Sequence, residues 1–156
     1  MIKDNLKLKG DLTIVLKDKD GRVKERRKET NRVVDVGLGF ICSRMINAGT
    51  PVMSNMAIGS GTDTPSAGQT DLTSALSSRV ALDSITQASN TVTYVASFST
   101  GEGTGAVTEA GIFNNSDPDD TVNSNIMLCR TTFPVINKQA DDTMLVTWTI
   151  TLTANP

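Results

Sequence analysis

The pattern of apolar and polar residues near the N-terminus predicts a β-hairpin. Apolar side chains alternate there with mostly polar ones and so share one face of a strand: Leu6, Leu8, Leu12, Ile14 and Leu16. Asp20-Gly21 is a strong signal for a hairpin turn, and the returning strand has almost no apolar residue besides Val23. Gly10 stands where a large apolar residue was due, which predicts a bend or bulge.

An isolated two-stranded hairpin is marginally stable in water. The leucine face of this hairpin must therefore rest either on the rest of its own chain or on a neighbouring subunit. If it docks on a neighbour, deletion of residues 1–30 is expected to leave a folded monomer that no longer assembles.

A helical pattern follows the hairpin. Apolar residues recur there at intervals of three and four: Val34, Leu38, Ile41, Met45 and Ala48. This predicts a helix over about residues 36–48 with Asp35 as its N-cap. Gly37 and Gly39 weaken intrinsic helicity, which indicates close packing against a backbone or a later start of the helix.

The rest of the chain consists of short β-branched segments separated by clusters of Gly, Ser, Asn and Asp. Two of them carry clear apolar faces, formed by Val92, Tyr94, Ala96 and Phe98 and by Met144, Val146, Trp148, Ile150 and Leu152. One-sided strands at this spacing favour antiparallel sheets. The predicted fold is mainly β, an antiparallel β-sandwich or barrel preceded by an N-terminal β-hairpin and one α-helix. The hairpin arm covers residues 1–32, and the helix and sandwich cover residues 33–156.

Composition removes several kinds of chemistry. The 156 residues suit one domain, and 15 basic against 17 acidic side chains give a formal charge of −2, which attracts neither nucleic acid nor an acidic membrane. The absence of histidine excludes Ser-His-Asp and Cys-His nucleophile pairs and imidazole metal ligands. No apolar run approaches the length of a membrane helix and no signal peptide is evident, so we expect a soluble protein made in the cytoplasm.

The two cysteines, Cys42 and Cys129, form no CxxC motif. We expect both to be buried and reduced, although their spacing leaves a disulfide open.

The stretch 99–113 matches a loose dinucleotide-binding fingerprint at Gly101, Gly103 and Ala106. A dinucleotide loop must open into a helix whose N-terminal amides hold the pyrophosphate. Here the next residues alternate like a strand and then reach a turn cluster, which leaves no room for that helix. The stretch is therefore expected to be a tight connection between strands, and no cofactor is predicted.

Glu109 lies inside an apolar strand and has no evident second carboxylate for glycosidase chemistry. We expect a structural carboxylate that accepts hydrogen bonds from backbone amides or from an arginine, with Arg130 and Arg79 as candidate partners. We predict no enzymatic activity and assign no catalytic residue.

Two polar segments are long for structureless loops, residues 59–70 and 114–125, which predicts contact surface or disorder. The second contains possible calcium ligands, Asp117, Asp119 and Asp120 with Asn123 or Asn125, but such clusters are ordinary turn formers. No metal-binding residue is assigned.

A basic cluster follows the hairpin turn and consists of Lys24, Arg26, Arg27, Lys28 and Arg32. Glu25 and Glu29 interrupt it and no aromatic residue accompanies it. This composition favours a solvated edge strand that blocks unwanted sheet pairing over a nucleic-acid site.

Several segments in this order resemble small virion structural proteins of tailed bacteriophages, known as tail, tail-fibre or tail-collar proteins: "NRVVDVGLGFICSRM", "MAIGSGTDTP", "TEAGIFN" and "FPVINK". The resemblance covers nearly the whole chain. It implies a many-copy assembly component without catalytic residues, placed on the tail, the collar or the head surface. The chain lacks heptads and fibrous repeats, which favours an adaptor, collar, baseplate or decoration subunit over a fibre shaft.

These observations together predict a homo-oligomer in the virion that docks on other phage structural proteins. The candidate assembly contacts lie in the hairpin: Leu6, Leu8, Leu12, Ile14, Leu16, Arg26 and Arg27. The alternatives are a head-surface decoration protein and a carbohydrate- or receptor-binding module that presents the two long loops. Sparse aromatic residues argue against the module, since Trp148 and Tyr94 fall on predicted core faces.

Overall fold

The computed structural model describes residues 5–121 and 125–155, in which it places ten strands and one helix. In chain order they are β1 (Asn5–Lys17), β2 (Val23–Thr30), β3 (Arg32–Val33), α1 (Asp35–Met45), β4 (Asn55–Gly59), β5 (Val80–Ala81), β6 (Ser84–Ala88), β7 (Thr91–Phe98), β8 (Gly105–Phe113), β9 (Met127–Lys138) and β10 (Thr143–Asn155).

The strands form two antiparallel sheets of five strands each, which confirms the predicted fold class. The first sheet has the order β2-β1-β10-β7-β6 and the second has the order β3-β9-β8-β4-β5. β1 and β10 pair along their whole length, from Asn5 opposite Asn155 to Lys17 opposite Thr143.

The hydrophobic core lies between the two sheets. From the first sheet it receives alternate residues of β7 and β10, which confirms both predicted apolar faces, and from the second sheet it receives Met56, Ile58, Val107, Ala110, Ile112 and Ile136. Trp148 and Phe98 are among the largest fully buried side chains. Burying a side chain of this size stabilises the fold by roughly 1.5–3 kcal/mol.

The N-terminal hairpin belongs to the sandwich and is not a separate arm. β1 lies between β2 and β10, and Leu12, Ile14 and Leu16 are buried in the core of their own chain. These three leucine-face residues are therefore core residues, which corrects their choice as assembly contacts. The expectation for deletion changes too: removal of residues 1–30 would expose the core and unfold the protein.

Gly10 makes room for a side chain instead of forming a bulge. A Cβ atom at Gly10 would lie 1.4 Å from Oδ1 of Asn31, the atom that accepts a 2.9 Å hydrogen bond from the Trp148 indole N–H. The register irregularity of the hairpin falls instead between Leu16 and Lys17.

α1 begins one residue earlier than predicted. Asp35 is its first residue, and the cap position belongs to Val34, which offers no side-chain hydrogen bond. Gly37 packs against β9 so closely that a Cβ atom there would lie 2.1 Å from the carbonyl oxygen of Leu128. The prediction of close backbone packing is thus confirmed for Gly37, whereas Gly39 has open space around it.

The buried face of α1 matches the face that the apolar repeat predicted only in part, since Ile41 of that repeat packs against the core. Gly37 and Phe40 are buried, whereas Leu38 and Met45 are exposed, Met45 by 82% of its surface. The helix packs where a glycine lets its backbone approach β9, and this contact sets its rotation.

The second sheet is buried on both faces. Every residue of β4 is buried, as are seven consecutive residues of β8. Residues 60–79 cover the outer face of this sheet, where a second apolar cluster forms from Val34, Ala57, Phe113 and Met127 with Val36 and Leu72. Most of the first long segment, residues 59–70, which was predicted to be contact surface or disorder, therefore lies in this cover, and several of its residues remain exposed.

Candidate functional site

The most concentrated charge in the structure is a buried ion pair between β8 and β9. Glu109 and Arg130 are fully buried, and Nε and Nη2 of Arg130 donate to Oε2 of Glu109 at 2.9 and 2.6 Å. A bulge between Val107 and Glu109 shifts the alternation of β8, so that Glu109 faces the covering segment while Val107 faces the core.

Glu109 also binds the backbone of the covering segment. The amides of Gly61 and Ser74 donate to its Oε1 at 2.9 and 2.8 Å, and the amide of Thr73 donates to its Oε2 at 3.1 Å. One carboxylate thus ties two distant parts of residues 60–79 to the sheet.

Arg130 completes the cluster from the other side. Its guanidinium donates to Asp63 Oδ1 at 2.9 Å, to Gln69 Oε1 at 3.0 Å and to the Thr73 hydroxyl at 3.2 Å. The hydrogen bond from Thr73, helped by Gln69 and Arg130, holds the pKa of Asp63 below its ordinary value in spite of partial burial. Both charged groups are saturated with internal partners, which confirms the structural role predicted for Glu109 and identifies Arg130 as its partner.

Arg79, the other candidate partner, belongs to a second cluster and forms no hydrogen bond with Glu109. Its guanidinium lies 3.6 Å above the ring of Phe113 and donates to Asp71 at 3.1 Å, to the Asn115 carbonyl at 3.2 Å and to the Asn125 amide oxygen at 2.6 Å. Burial lowers the pKa of Arg79, and Asp71 opposes that shift. Arg79 therefore joins the covering segment to the loop at residues 114–121.

A third cluster lies near the other end of the sandwich. Lys138 is buried and donates to the carbonyl of Ser99 at 2.9 Å, and burial lowers its pKa. Asp142 accepts from the Lys24 ammonium at 2.7 Å and from the Gln139 amide at 2.8 Å. Burial alone would raise the pKa of Asp142, but these partners outweigh burial and hold the pKa below its ordinary value.

The glycine-rich stretch 99–113 consists of a turn at residues 99–104 followed by β8, as predicted. Gly101, Gly103 and Gly105 have φ angles of 80, 63 and 137°, a region that favours glycine. β8 then pairs antiparallel with β4 and β9. The stretch therefore offers no helix N-terminus for a phosphate group.

The aspartates of the second long loop take part in local turns. Oδ1 of Asp117 accepts from the Asp119 amide at 2.9 Å, and Oδ2 of Asp120 accepts from the Asn115 side chain at 2.8 Å. Within residues 5–121 and 125–155, no three acidic, cysteine or histidine side chains are grouped as a metal site. Asn123, the other ligand considered, lies outside the described residues.

The two cysteines have different surroundings and are both free. Cys129 is buried, and burial raises its pKa well above the ordinary value. Cys42 is exposed on α1, so the expectation that it is buried was wrong.

The four sheet edges in the described part of the chain differ sharply in length and charge. β3 and β5, the edges of the second sheet, have only two residues each. β2, one edge of the first sheet, carries six consecutive charged residues at 24–29, which agrees with the predicted edge role of the basic cluster. β6, the other edge, is the sequence SITQA, in which all five residues are exposed and none is charged.

An apolar groove of about 740 Å³ lies beside β6. Its walls come from α1 and the chain before β4 on one side and from the inner face of β6, β7 and β10 on the other. The lining includes Ile41, Val52, Ile85, Val92, Tyr94 and Leu152. Burial in this wall raises the pKa of Tyr94 to about 12.

Comparison with protein-family models, curated proteins and solved structures found no match. A functional assignment therefore depends on the residues of this chain and their geometry. Among the residues that the structure describes, no helix is long and apolar enough to cross a membrane.

The four candidate assembly contacts outside the core differ in their exposure. Leu6 is exposed near the start of β1, and Leu8 is half-buried against the core. Arg26 is exposed on β2, whereas Arg27 is held by Glu25 and by the carbonyl of Pro134 at 3.1 Å.

Sequence reasoning missed the groove and the uncharged edge beside it. Val52 and Ile85 gave no signal alone, because their exposure depends on which strands lie at the edges of the sheets. An uncharged segment at 84–88 was visible in the sequence, but its place at an edge was not.

Proposed function

We propose that this chain is a non-enzymatic structural subunit of a tailed-bacteriophage virion, which self-associates and docks on other virion proteins. The observation that carries the proposal is the uncharged edge strand β6 beside an exposed apolar groove. Natural sheets commonly protect such edges with charges, bulges or short strands, so an unprotected edge suits a contact surface.

The buried charges support this proposal through what they do. Glu109 and Arg130 fix the covering segment, and Arg79 joins that segment to the next loop. Internally saturated pairs of this kind hold a surface in one shape. A rigid surface suits a part that repeats identical contacts in a ring or lattice.

The virion assignment depends on the resemblance of the sequence segments to small phage structural proteins. The tail, collar, baseplate, an adaptor position and a decoration site on the head all fit that resemblance. The protein would be made in the host cytoplasm and then incorporated into particles. Immunogold labelling of intact particles, scored for head against tail, tests the location.

The carbohydrate-binding alternative lacks support from the surface. All six aromatic residues of the chain are buried: Phe40, Tyr94, Phe98, Phe113, Phe133 and Trp148. An exposed aromatic platform is the usual way to present a flat apolar face with a polar handle to a ligand. The assembly function therefore has the stronger physical basis.

Self-association is tested by sedimentation velocity over a wide range of protein concentration. The proposal predicts a species whose mass is a multiple of the 16.6 kDa chain and whose fraction grows with concentration. A mass of one chain at every concentration, with or without calcium, would contradict self-association.

A further inference from the structure

The unprotected edge has a self-complementary sequence. In a two-fold antiparallel pair centred on Thr86, that residue would meet its own copy, Ile85 would meet Gln87, and Ser84 would meet Ala88. No charged residue lies within β6, so the pair would place no like charges opposite each other.

The outer face of the first sheet supplies a matching side-chain row. Thr149 of β10 pairs with Thr93 of β7, and Thr93 pairs with Thr86 of β6. The hydroxyls of Thr93 and Thr149 already lie 3.5 Å apart across the sheet. A two-fold pair at Thr86 would continue this threonine row into the second copy, and cross-strand threonine pairs stabilise sheets.

The inner face supplies apolar surface beside the same axis. Ile85 and Gln87 line the groove, and they lie opposite Tyr94 and Val92 of β7. Pairing of two β6 strands would bring two grooves next to each other on one side of a continuous sheet. Val52 and Ile85, which are exposed in the single chain, would then be partly covered.

We infer that a second copy of this chain docks antiparallel on β6, with the two-fold axis at Thr86, to form a ten-stranded sheet flanked by the paired grooves. This inference rests on the proposed self-association and specifies its mode. A second copy is favoured over an unrelated strand because this pairing places no like charges opposite each other, continues the threonine row and brings the two apolar grooves side by side.

The first test uses Ile85→Lys. Ile85 is 46% exposed, so a lysine can be accommodated in the single chain, but in the pair its charge would lie against apolar surface. We expect the dissociation constant of the dimer to rise by about tenfold or more. Val135→Lys is the matched control, since Val135 is also β-branched, 47% exposed and located on β9.

The second test uses a cysteine at the axis and does not depend on the tolerance of Ile85→Lys. In a Cys42→Ser background, Thr86→Cys would bring two thiols opposite each other, and dipyridyl disulfide would link them into a covalent dimer. Thr100→Cys, at an exposed position after β7, is the control and should link much less.

Three outcomes separate the claims. Loss of the dimer in Ile85→Lys but not in Val135→Lys, with selective linking at Thr86→Cys, supports the pairing. Self-association that survives Ile85→Lys, with linking at Thr86→Cys no greater than at Thr100→Cys, overturns the pairing and leaves the proposed function standing. A wild-type chain that is monomeric at every concentration overturns both.

Discussion

Replacement of Glu109 by glutamine tests whether the buried ion pair holds the covering segment in place. Glutamine nearly preserves the shape of glutamate but removes the charge. The wild-type carboxylate accepts from Arg130 and from three backbone amides, those of Gly61, Thr73 and Ser74. A neutral amide would leave Arg130 with less charge compensation and would turn one acceptor into a donor facing other donors.

The expected cost follows from the burial of both groups. Removal of one partner from a buried ion pair costs about 3–5 kcal/mol, because the other charge remains in a medium of low polarity. Asp63 still contacts Arg130 in the variant, so the lower value of about 3 kcal/mol applies. For a chain of this size, that corresponds to a fall in Tm of about 6–12 °C.

Two assays read the effect at different levels. Urea denaturation gives the change in the free energy of unfolding. Hydrogen exchange gives the local effect, because glutamine keeps only one acceptor oxygen and at least one of the amides of Gly61, Thr73 and Ser74 loses its partner. Faster exchange at these amides, with little change in the β1–β10 ladder, is the expected pattern.

Glu25→Gln is the matched control. Glu25 pairs with Arg27 at the surface, where ion pairs contribute about 1 kcal/mol or less. A cost below about 1 kcal/mol for Glu109→Gln, equal to that of the control, would refute the account of the buried pair. Unchanged exchange at residues 60–79 would refute the claim that Glu109 holds the covering segment to the sheet.

Three further predictions concern the helix, the groove wall and acid stability. Gly37→Ala should destabilise the protein by about 2 kcal/mol or more in urea because its Cβ meets the β9 backbone, whereas Gly39→Ala should stabilise it by about 0.5–1 kcal/mol; equal effects would contradict the packing of α1. The sole tyrosine, Tyr94, should form tyrosinate with a midpoint at about pH 12 in an ultraviolet titration, so its contribution to stability is lost as the pH rises from 10 to 12. A midpoint at pH 10 in the folded protein would contradict its burial. The pKa of Asp142 is lowered from 3.8, so its contribution to stability is present above pH 3.8 and is lost as the pH falls through the folded-state pKa. The stability advantage of the wild type over Asp142→Asn should therefore disappear in acid, and a constant difference would contradict the role of Lys24.

The alternation of apolar residues predicted the strands and the core faces of β7 and β10, because side chains two residues apart along a strand lie on the same face of the sheet. The same reasoning could not locate the bulge in β8, which shifts the alternation of that strand. Glu109 was recognisable as a structural carboxylate from its apolar surroundings, but its orientation depends on the bulge after Val107. Glu109 pairs with Arg130 and not with Arg79 because of the strand order, which local sequence does not encode.

The helix shows a second limit of periodicity. Leu38 and Met45 fit an apolar repeat, yet the contact of Gly37 with β9 determines which side of α1 is buried. A glycine gives no hydrophobic signal, although it allows the closest approach. Which apolar residues of α1 stay exposed can therefore be determined only from the packing of the helix.

Hydrogen exchange of residues 84–88 at increasing protein concentration tests most directly whether this chain assembles through its uncharged edge. The account predicts that amide protection in β6 rises as the chain self-associates, while protection in the charged edge strand β2 stays constant. Exchange in β6 that is independent of concentration, while the sedimenting mass increases, would contradict assembly through this edge.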